Sequence, residues 1–438
     1  MELINKELLK RTDLPLDIGA FKQDPKLVAA IDKLFIHGTK STKENTILPD
    51  RKLNFSEVQQ FLKKPEGNLN NASTSTKEVN TDRKAIIRKI EQILDDINRC
   101  AETGEKPTLI IRNQRLWSNC VYDMDRVALK SLGDAKTTTL QYSNASDKSR
   151  FNTIIFVLTK VHELLQKNLS VTKRELFYQN LARFRNQGNV DVGVRDVCCL
   201  LELPPWSLGI VATAKGLIAG PLKIYHQNGS VTDCMTAGGT LIPQDVNGIV
   251  EFRSTAKYIL VVEKDAIFQK LLDEGALVRL GPVVILTGKG YPDIVTRQLL
   301  CRLVAALRLP ALALVDADPH GLEIFLTYKY GSLAHSHLSS NLSCTTLRLL
   351  GARPRDVAAL APTAARLPLT ARDKRKLNAL ISRPYLNTPT GKHIPTYRLT
   401  CRMLSSGYKA EVEAVAPTIA ALCDFYLPSK LMHGDFVG

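Results

Sequence analysis

The chain has 438 residues, enough for two or more domains with separate cores. Hydrophobic residues make up 44% and charged residues 23%, the balance of a soluble globular protein. Lys and Arg outnumber Asp and Glu by 59 to 43, a formal net charge of +16. That surplus favours polyanionic partners through counterion release at phosphates, yet it does not separate a DNA-binding protein from one that is merely basic. Nine cysteines include no C-x-x-C pair, which argues against a zinc knuckle and for free thiols in a reducing compartment. The opening Met1-Glu-Leu-Ile-Asn-Lys has no apolar signal core. The longest apolar tract, Leu299 to Val315, is interrupted by Arg302, Arg308 and Pro310, so no membrane span is expected.

In chain order, residues 1–67 show weak, mixed periodicity, and the polar, turn-rich stretch 68–80 reads as a linker. A helix follows, with Thr81 or Asp82 as its cap and Ile86, Ile90, Ile93, Leu94 and Ile97 on one stripe. Such a stripe packs on its own core or docks a partner. Residues 151–210 read as a helical unit, with Ile154, Ile155, Leu158, Val161, Leu164 and Leu165 forming its first stripe. Thr172 to Glu175 has capping-box spacing, so a new helix starts at Lys173 and carries Tyr178. A further helix, Val190 through Leu203, is stopped by Pro204-Pro205, and Ser207 to Ile224 suits a short β-hairpin. Three helices and a hairpin is the order of a winged helix-turn-helix, a DNA-docking architecture.

From about residue 255 the pattern changes. Lys257-Tyr-Ile-Leu-Val-Val262, Val283-Val-Ile-Leu286 and Ala311-Leu-Ala-Leu-Val315 are apolar runs separated by helical stretches. That alternation predicts a mainly parallel sheet covered on both faces, with functional groups at the carboxyl ends of its strands. Each run ends in a polar cluster: Glu263, then Gly288-Lys-Gly290, then Asp316 and Asp318. Residues 351–438 hold 13 Lys and Arg against 6 Asp and Glu.

These clusters define candidate chemistry. Glu263 lies 53 residues before Asp316, too far for a local ion-pair neighbour, but if the two runs are neighbouring strands their carboxylates converge on one rim. Oxygen ligands of this kind suit Mg2+, which binds through a few carboxylates plus phosphate and keeps several waters. The plainer reading of Asp316-Ala-Asp-Pro-His-Gly321 is a turn after a strand. Tyr178 could act as a nucleophile only with help, because a free phenol has a pKa of about 10. Lys173 and Arg174 precede it, Arg174 by one helical turn, and a cation there favours the phenolate and holds a phosphate. The competing reading is a core tyrosine near a solvated basic face. Phe177 reads as core. His335 and His337 read as surface loop, and His320 as a phosphate contact or a helix cap. Lys173, Lys215 and Lys289 are candidate DNA contacts. Gly288-Lys-Gly290 lacks a complete P-loop, so no ATP site is expected in this chain.

Several of these segments together resemble one family. Thr172-Lys-Arg-Glu-Leu-Phe-Tyr178, Ala214-Lys-Gly-Leu-Ile-Ala-Gly220, Val262-Glu-Lys-Asp-Ala-Ile-Phe268, Thr287-Gly-Lys-Gly-Tyr-Pro-Asp293 and Val315-Asp-Ala-Asp-Pro-His-Gly-Leu-Glu-Ile324 look like the meiotic double-strand-break transesterases. These are relatives of the A subunit of topoisomerase VI. Tyr328-Lys-Tyr-Gly331, Arg383-Pro-Tyr385 and Leu427-Pro-Ser-Lys-Leu431 also fit, and the resemblance covers roughly residues 85–435. It implies an α/β plus α+β architecture: a CAP-like winged-helix DNA-binding domain, then a Toprim domain with a mainly parallel sheet. The expected divisions are 1–80 as a poorly structured region and linker, 81–235 as N-terminal helix plus winged helix, and 250–438 as Toprim with a C-terminal extension.

The resemblance further implies Tyr178 as the nucleophile, Arg174 as the arginine ahead of it, and Glu263, Asp316 and Asp318 as Mg2+ ligands. It implies cleavage of double-stranded DNA by transesterification, leaving a 5′-phosphotyrosyl bond without ATP hydrolysis by this chain. One nucleophile per chain cuts one strand, so the active form is expected to be a homodimer with composite sites. Residues 86–97 are placed like the helix by which relatives hold a topoisomerase VI B-like subunit. The expected location is the nucleus, on chromosomes. This chain has Phe177-Tyr178 where relatives often have two tyrosines, and residues 1–80 and 357–365 do not match the family. Rival readings are the A component of a type IIB topoisomerase performing strand passage, a Toprim nuclease using water, and a catalytically silent DNA-binding scaffold.

Overall fold

The computed structural model describes residues 70–73, 83–114, 116–123, 126–387 and 395–437. They fall into two compact units: 70–73, 215–330 and the chain from 341 in the larger, 83–214 and 331–340 in the smaller. The first described element, β1 (Asn70–Ser73), lies within the stretch 68–80 expected as a linker, the rest of which is outside the described residues. It pairs antiparallel with Ile249–Ser254 of the larger unit. Asn and Ser are poor strand formers, but an edge ladder is made of backbone hydrogen bonds, so a receptive edge overrides side-chain preference. The rest of the region expected to be poorly structured, and the proposed caps Thr81 and Asp82, lie outside the described residues.

In the smaller unit, α1 (Arg83–Thr103) buries Ile86 and Ile90, while Ile93, Leu94 and Ile97 pack only partly against the same core. Two antiparallel hairpins follow, β2 (Thr108–Arg112) with a later β5 (Thr137–Gln141), and β3 (Cys120–Asp123) with β4 (Arg126–Leu129). The long helix α2 (Ala145–Lys167) places Ile154, Val157, Leu158 and Val161 fully inside. Each such side chain contributes about 1.5–3 kcal/mol of burial. β6 (Val171–Thr172) leads into α3 (Lys173–Tyr178) through the expected capping box. Thr172 Oγ1 accepts the Glu175 N–H at 3.0 Å, and the Thr172 N–H returns to Glu175 Oε2 at 3.4 Å. α4 (Gln187–Leu201) ends where Glu202 turns left-handed at φ 61, two residues before Pro204. β7 (Ile210–Val211) then pairs in parallel with β6.

The hairpin expected over Ser207 to Ile224 does not form. β8 (Leu217–Ala219) and β9 (Leu222–His226) enter two different sheets of the larger unit. Gly220 separates them at φ 130, its backbone pressed so close to Val283 that a Cβ there would lie 2.4 Å from the Val283 carbonyl oxygen. Ile218, Ala219, Leu222 and Ile224 are all buried in that larger unit. The division of the chain therefore falls between Ala214 and Lys215, ahead of the expected end at residue 235. His335 and His337 are another correction. The turn Leu333–Leu338 carrying them packs within the smaller unit, and both rings are half-buried. Burial, then the nearby Arg112, Arg195 and Lys173, push the His337 imidazole down to about 4.

The larger unit holds β10 (Val231–Asp233), β11 (Thr240–Leu241), β12 (Ile249–Ser254), β13 (Tyr258–Val262), α5 (Asp265–Asp273), β14 (Val283–Thr287), α6 (Ile294–Leu307), β15 (Ala311–Leu314), α7 (Pro319–Tyr330) and β16 (Arg348–Gly351). A six-stranded sheet runs β11-β8-β14-β13-β15-β16. Its four strands from β14 to β16 are parallel, and β8 and β11 extend it antiparallel. Every residue of β13, β14 and β15 is buried, the physical basis of their continuous apolar runs. Val262 is level with Thr287 on one side and Leu314 on the other, so the polar residues following all three strands emerge at one rim.

Candidate functional site

The acidic residues at the strand ends do meet. Glu263 follows β13, and its Oε2 accepts the backbone N–H of Asp316 at 2.9 Å. Asp316 follows β15 and is 7% exposed. The close approach depends on Gly321, where a Cβ would lie 2.5 Å from the Asp316 carbonyl oxygen and 2.9 Å from Glu263 Oε2. Burial, then the Asp316 and Asp318 charges, push the Glu263 carboxyl up to about 7. Burial also raises that of Asp316, although the Val412 N–H and Lys264 oppose it. Asp318 is turned to another task, its Oδ1 accepting the Gly321 N–H at 2.6 Å in the first turn of α7.

A buried carboxylate and a half-buried one that repel each other form a place where a cation lowers the energy. Among the described residues no three Asp, Glu, His or Cys side chains are grouped to enclose an ion. A pair with Asp318 close by still fits Mg2+, which is bound through one or two carboxylates and keeps its remaining waters.

Sequence reading missed the groups that hold this rim. Lys264 Nζ lies 3.0 Å from Asp316 Oδ2, 3.3 Å from Glu411 Oε2 and 3.6 Å from Glu413 Oε2. Burial works against its charge, but these three carboxylates keep the ammonium protonated. The Val412 N–H donates to Asp316 Oδ1 at 2.9 Å, and Ala410 exchanges backbone hydrogen bonds with Ala317. Lys264 had a signal in its adjacency to Glu263. Glu411 and Glu413 had none, because they lie almost a hundred residues beyond Asp316.

The candidate DNA contacts Lys215 and Lys289 are neighbours in the larger unit. Lys215 Nζ reaches the Lys289 carbonyl oxygen at 3.3 Å, and its N–H donates to Asp293 Oδ2 at 2.9 Å. Lys289 is paired with Asp265 at 3.0 Å, which lessens its attraction for phosphate. His320 meets the Tyr291 hydroxyl at 3.2 Å. That hydroxyl donates to Glu323 at 2.6 Å, and Glu323 is also held by Lys376 and Arg383.

Tyr178, Arg174 and Lys173 belong to the smaller unit. Tyr178 ends α3 with 66% of its surface exposed, which removes the reading of a core tyrosine. Arg174 is exposed one turn back on the same helix. Lys173 is committed to Asp191 at 3.2 Å, leaving Arg174 as the better placed cation. Phe177 packs partly on the core, its ring 5.5 Å from that of Tyr178.

Known proteins match both units. The Toprim-domain family of the topoisomerase 6 A-subunit/Spo11 proteins matches residues 258–431, and the family described as "Type IIB DNA topoisomerase" matches residues 149–210. The chain is 35% identical to the Mus musculus "Meiotic recombination protein SPO11" over 356 residues, 80% of this chain and 88% of the mouse protein. It is 37% identical to the Drosophila melanogaster "Meiotic recombination protein W68" over 303 residues, 68% of this chain and 87% of the fly protein. It is 33% identical to the A subunit of DNA topoisomerase 6 from Arabidopsis thaliana over 355 residues, 80% of this chain and 81% of the plant protein. The parallel-sheet unit with acids at its strand ends is a Toprim domain, and the chain belongs to the topoisomerase 6 A-subunit/Spo11 family.

Proposed function

We propose that this chain is a topoisomerase-like transesterase that makes the DNA double-strand breaks initiating meiotic recombination. The observation that carries the reading is the exposed phenol of Tyr178 at the end of a capped helix, one turn from Arg174. The Tyr178 oxygen, on losing its proton, attacks a backbone phosphorus. An O–P bond forms to Tyr178, the bond from phosphorus to the 3′ oxygen breaks, and that oxygen takes a proton. The chain is left on the 5′ end. One ester replaces another, so this chain needs neither water nor ATP for the cut. Arg174 holds the phosphate and favours the phenolate.

Glu263 and Asp316, with Asp318 beside them, are the groups that would hold Mg2+. When bound, the ion supplies charge neutralisation for the phosphate and the departing oxygen. The smaller unit, with α2, α3 and α4 in sequence, acts as a winged-helix DNA-binding domain, and its match to the type IIB topoisomerase family supports this. Lys215 is the freer of the two lysine DNA contacts in the larger unit. Two copies are needed to cut both strands, so the active form is a homodimer on double-stranded DNA. A topoisomerase VI B-like subunit docks on α1 through Ile93, Leu94 and Ile97, the partly buried half of the stripe. The site of action is the nucleus, on chromosomes.

The test is trapping of covalent protein–DNA complexes with Mg2+, comparing wild type with Tyr178→Phe. A 5′-linked adduct lost in the variant supports the proposal. Cleavage that persists with free 5′ phosphates overturns it in favour of a nuclease. The plant relative named as a topoisomerase component favours a second reading, in which the chain takes part in strand passage. ATP-dependent relaxation of supercoiled DNA with a B subunit would select that reading.

A further inference from the structure

The rim carries a second ionic layer, and its geometry bears on how a divalent ion is admitted. Asp316 presents two oxygens. Oδ1 accepts the Val412 N–H at 2.9 Å, and Oδ2 faces Lys264 Nζ at 3.0 Å, so each oxygen already has a partner. A divalent ion at Asp316 and the Lys264 ammonium are two cations drawn to the same carboxylate, and each repels the other.

Lys264 has an alternative within reach. Its ammonium, with three N–H donors, already faces Glu411 Oε2 at 3.3 Å and Glu413 Oε2 at 3.6 Å besides Asp316. Glu413 Oε2 is buried and accepts no hydrogen bond, so it stands to gain by drawing the ammonium closer. Both glutamates are carried by the segment clipped to the rim through the Ala410–Ala317 bridge and the Val412 N–H. The distance from Asp316 to this second acceptor pair is therefore set by the fold.

We propose that Lys264, Glu411 and Glu413 form a counter-ion exchange that sets the divalent-cation affinity of the Toprim rim. With a divalent ion held at Asp316, Lys264 would pass to Glu411 and Glu413 without leaving the site. Lys264 is then a positioning residue that opposes metal entry, and the two glutamates favour entry by receiving it. This inference rests on the reading of Glu263 and Asp316 as metal ligands.

The experiment is Mn2+ binding to the full chain, read from the resonance of free Mn2+ and needing no DNA cleavage. Lys264→Met is expected to tighten binding about tenfold, and the double variant Glu411→Gln/Glu413→Gln to weaken it by a similar factor. In the Lys264→Met background the glutamate substitutions should have almost no effect, because there is no ammonium to receive. Glu411→Gln alone, at a side chain 65% exposed, leaves the fold undisturbed and should weaken binding severalfold. Saturable wild-type binding with strictly additive effects would mean a general field of charge and would overturn the exchange alone. Wild type that shows no saturable binding lost in Asp316→Asn would overturn the metal reading and the exchange together.

Discussion

The two candidate centres are built in opposite ways. The helix carrying Tyr178 is six residues long, is capped by its own Thr172 and Glu175, and leaves its phenol in solvent. The Toprim rim centres on the buried Asp316, and its members come from four places in the chain: Glu263 with Lys264, Asp316, Gly321, and the segment 410–413. The contrast follows from the proposed tasks. A nucleophile must reach a large polyanion, so it sits on a surface. A cation site must hold like charges together, and only a surrounding structure can pay that cost.

The contrast can be broken by substitution, and the largest effect belongs to Tyr178. Tyr178→Phe should abolish the covalent adduct, while stability measured by denaturant unfolding changes by no more than about 0.5 kcal/mol, as for other exposed sites. A marked loss of stability would show that the phenol is structural. Next is a buried ion network elsewhere in the larger unit, where Lys430 Nζ lies 2.7 Å from Asp356 and 2.9 Å from Asp435, with Arg353 also paired to Asp435. Lys430→Met leaves two buried carboxylates short of a partner and should cost about 3–5 kcal/mol in denaturant unfolding.

Gly321→Ala tests the rim itself. The added methyl meets Asp316 and Glu263 at contact distances no real side chain keeps, so the predicted cost is about 1–3 kcal/mol together with weakened divalent binding. Normal Mn2+ affinity in that variant would show that the carboxylate pair can spread without losing the ion. The smallest effect is expected at Asp373, which caps Ala371–Ile381 through Thr370 and pairs with Lys409 at 2.8 Å. Asp373→Asn should cost about 1 kcal/mol by thermal melting. Burial works against ionisation there, but Lys409 and Thr370 outweigh it and hold the carboxyl down at about 2. A depressed acid stabilises the fold above its ordinary value of 3.8, and that contribution is lost as pH falls toward about 2. The variant should therefore show a shallower loss of stability over that acid range, and an unchanged slope would remove the pairing from the account.

Legibility in the sequence followed the range of the interactions. The capping box at Thr172, the stop at Pro204 and the three apolar strands are local patterns, and each stands where its spacing predicts. The expected hairpin over Ser207 to Ile224 failed because Gly220 lets consecutive strands enter separate sheets, which no local preference encodes. β1 was hidden for a similar reason, since a strand of Asn and Ser is selected by its partner's edge. The half-buried His337 turn read as surface because its His-x-His pair had no third ligand in sequence, yet it packs within the smaller unit.

By itself, the sequence determined the parallel sheet, the helix that presents Tyr178, and which acids close the strands, because periodicity, capping and chain polarity act over a few residues. Tertiary structure alone decided which acids share a hydrogen bond, that Asp318 turns to cap α7, and that Lys264 is shared among Asp316, Glu411 and Glu413. Those contacts join segments far apart in the chain. Their existence depends on strand register and on where a glycine permits close approach, quantities set by the packed whole.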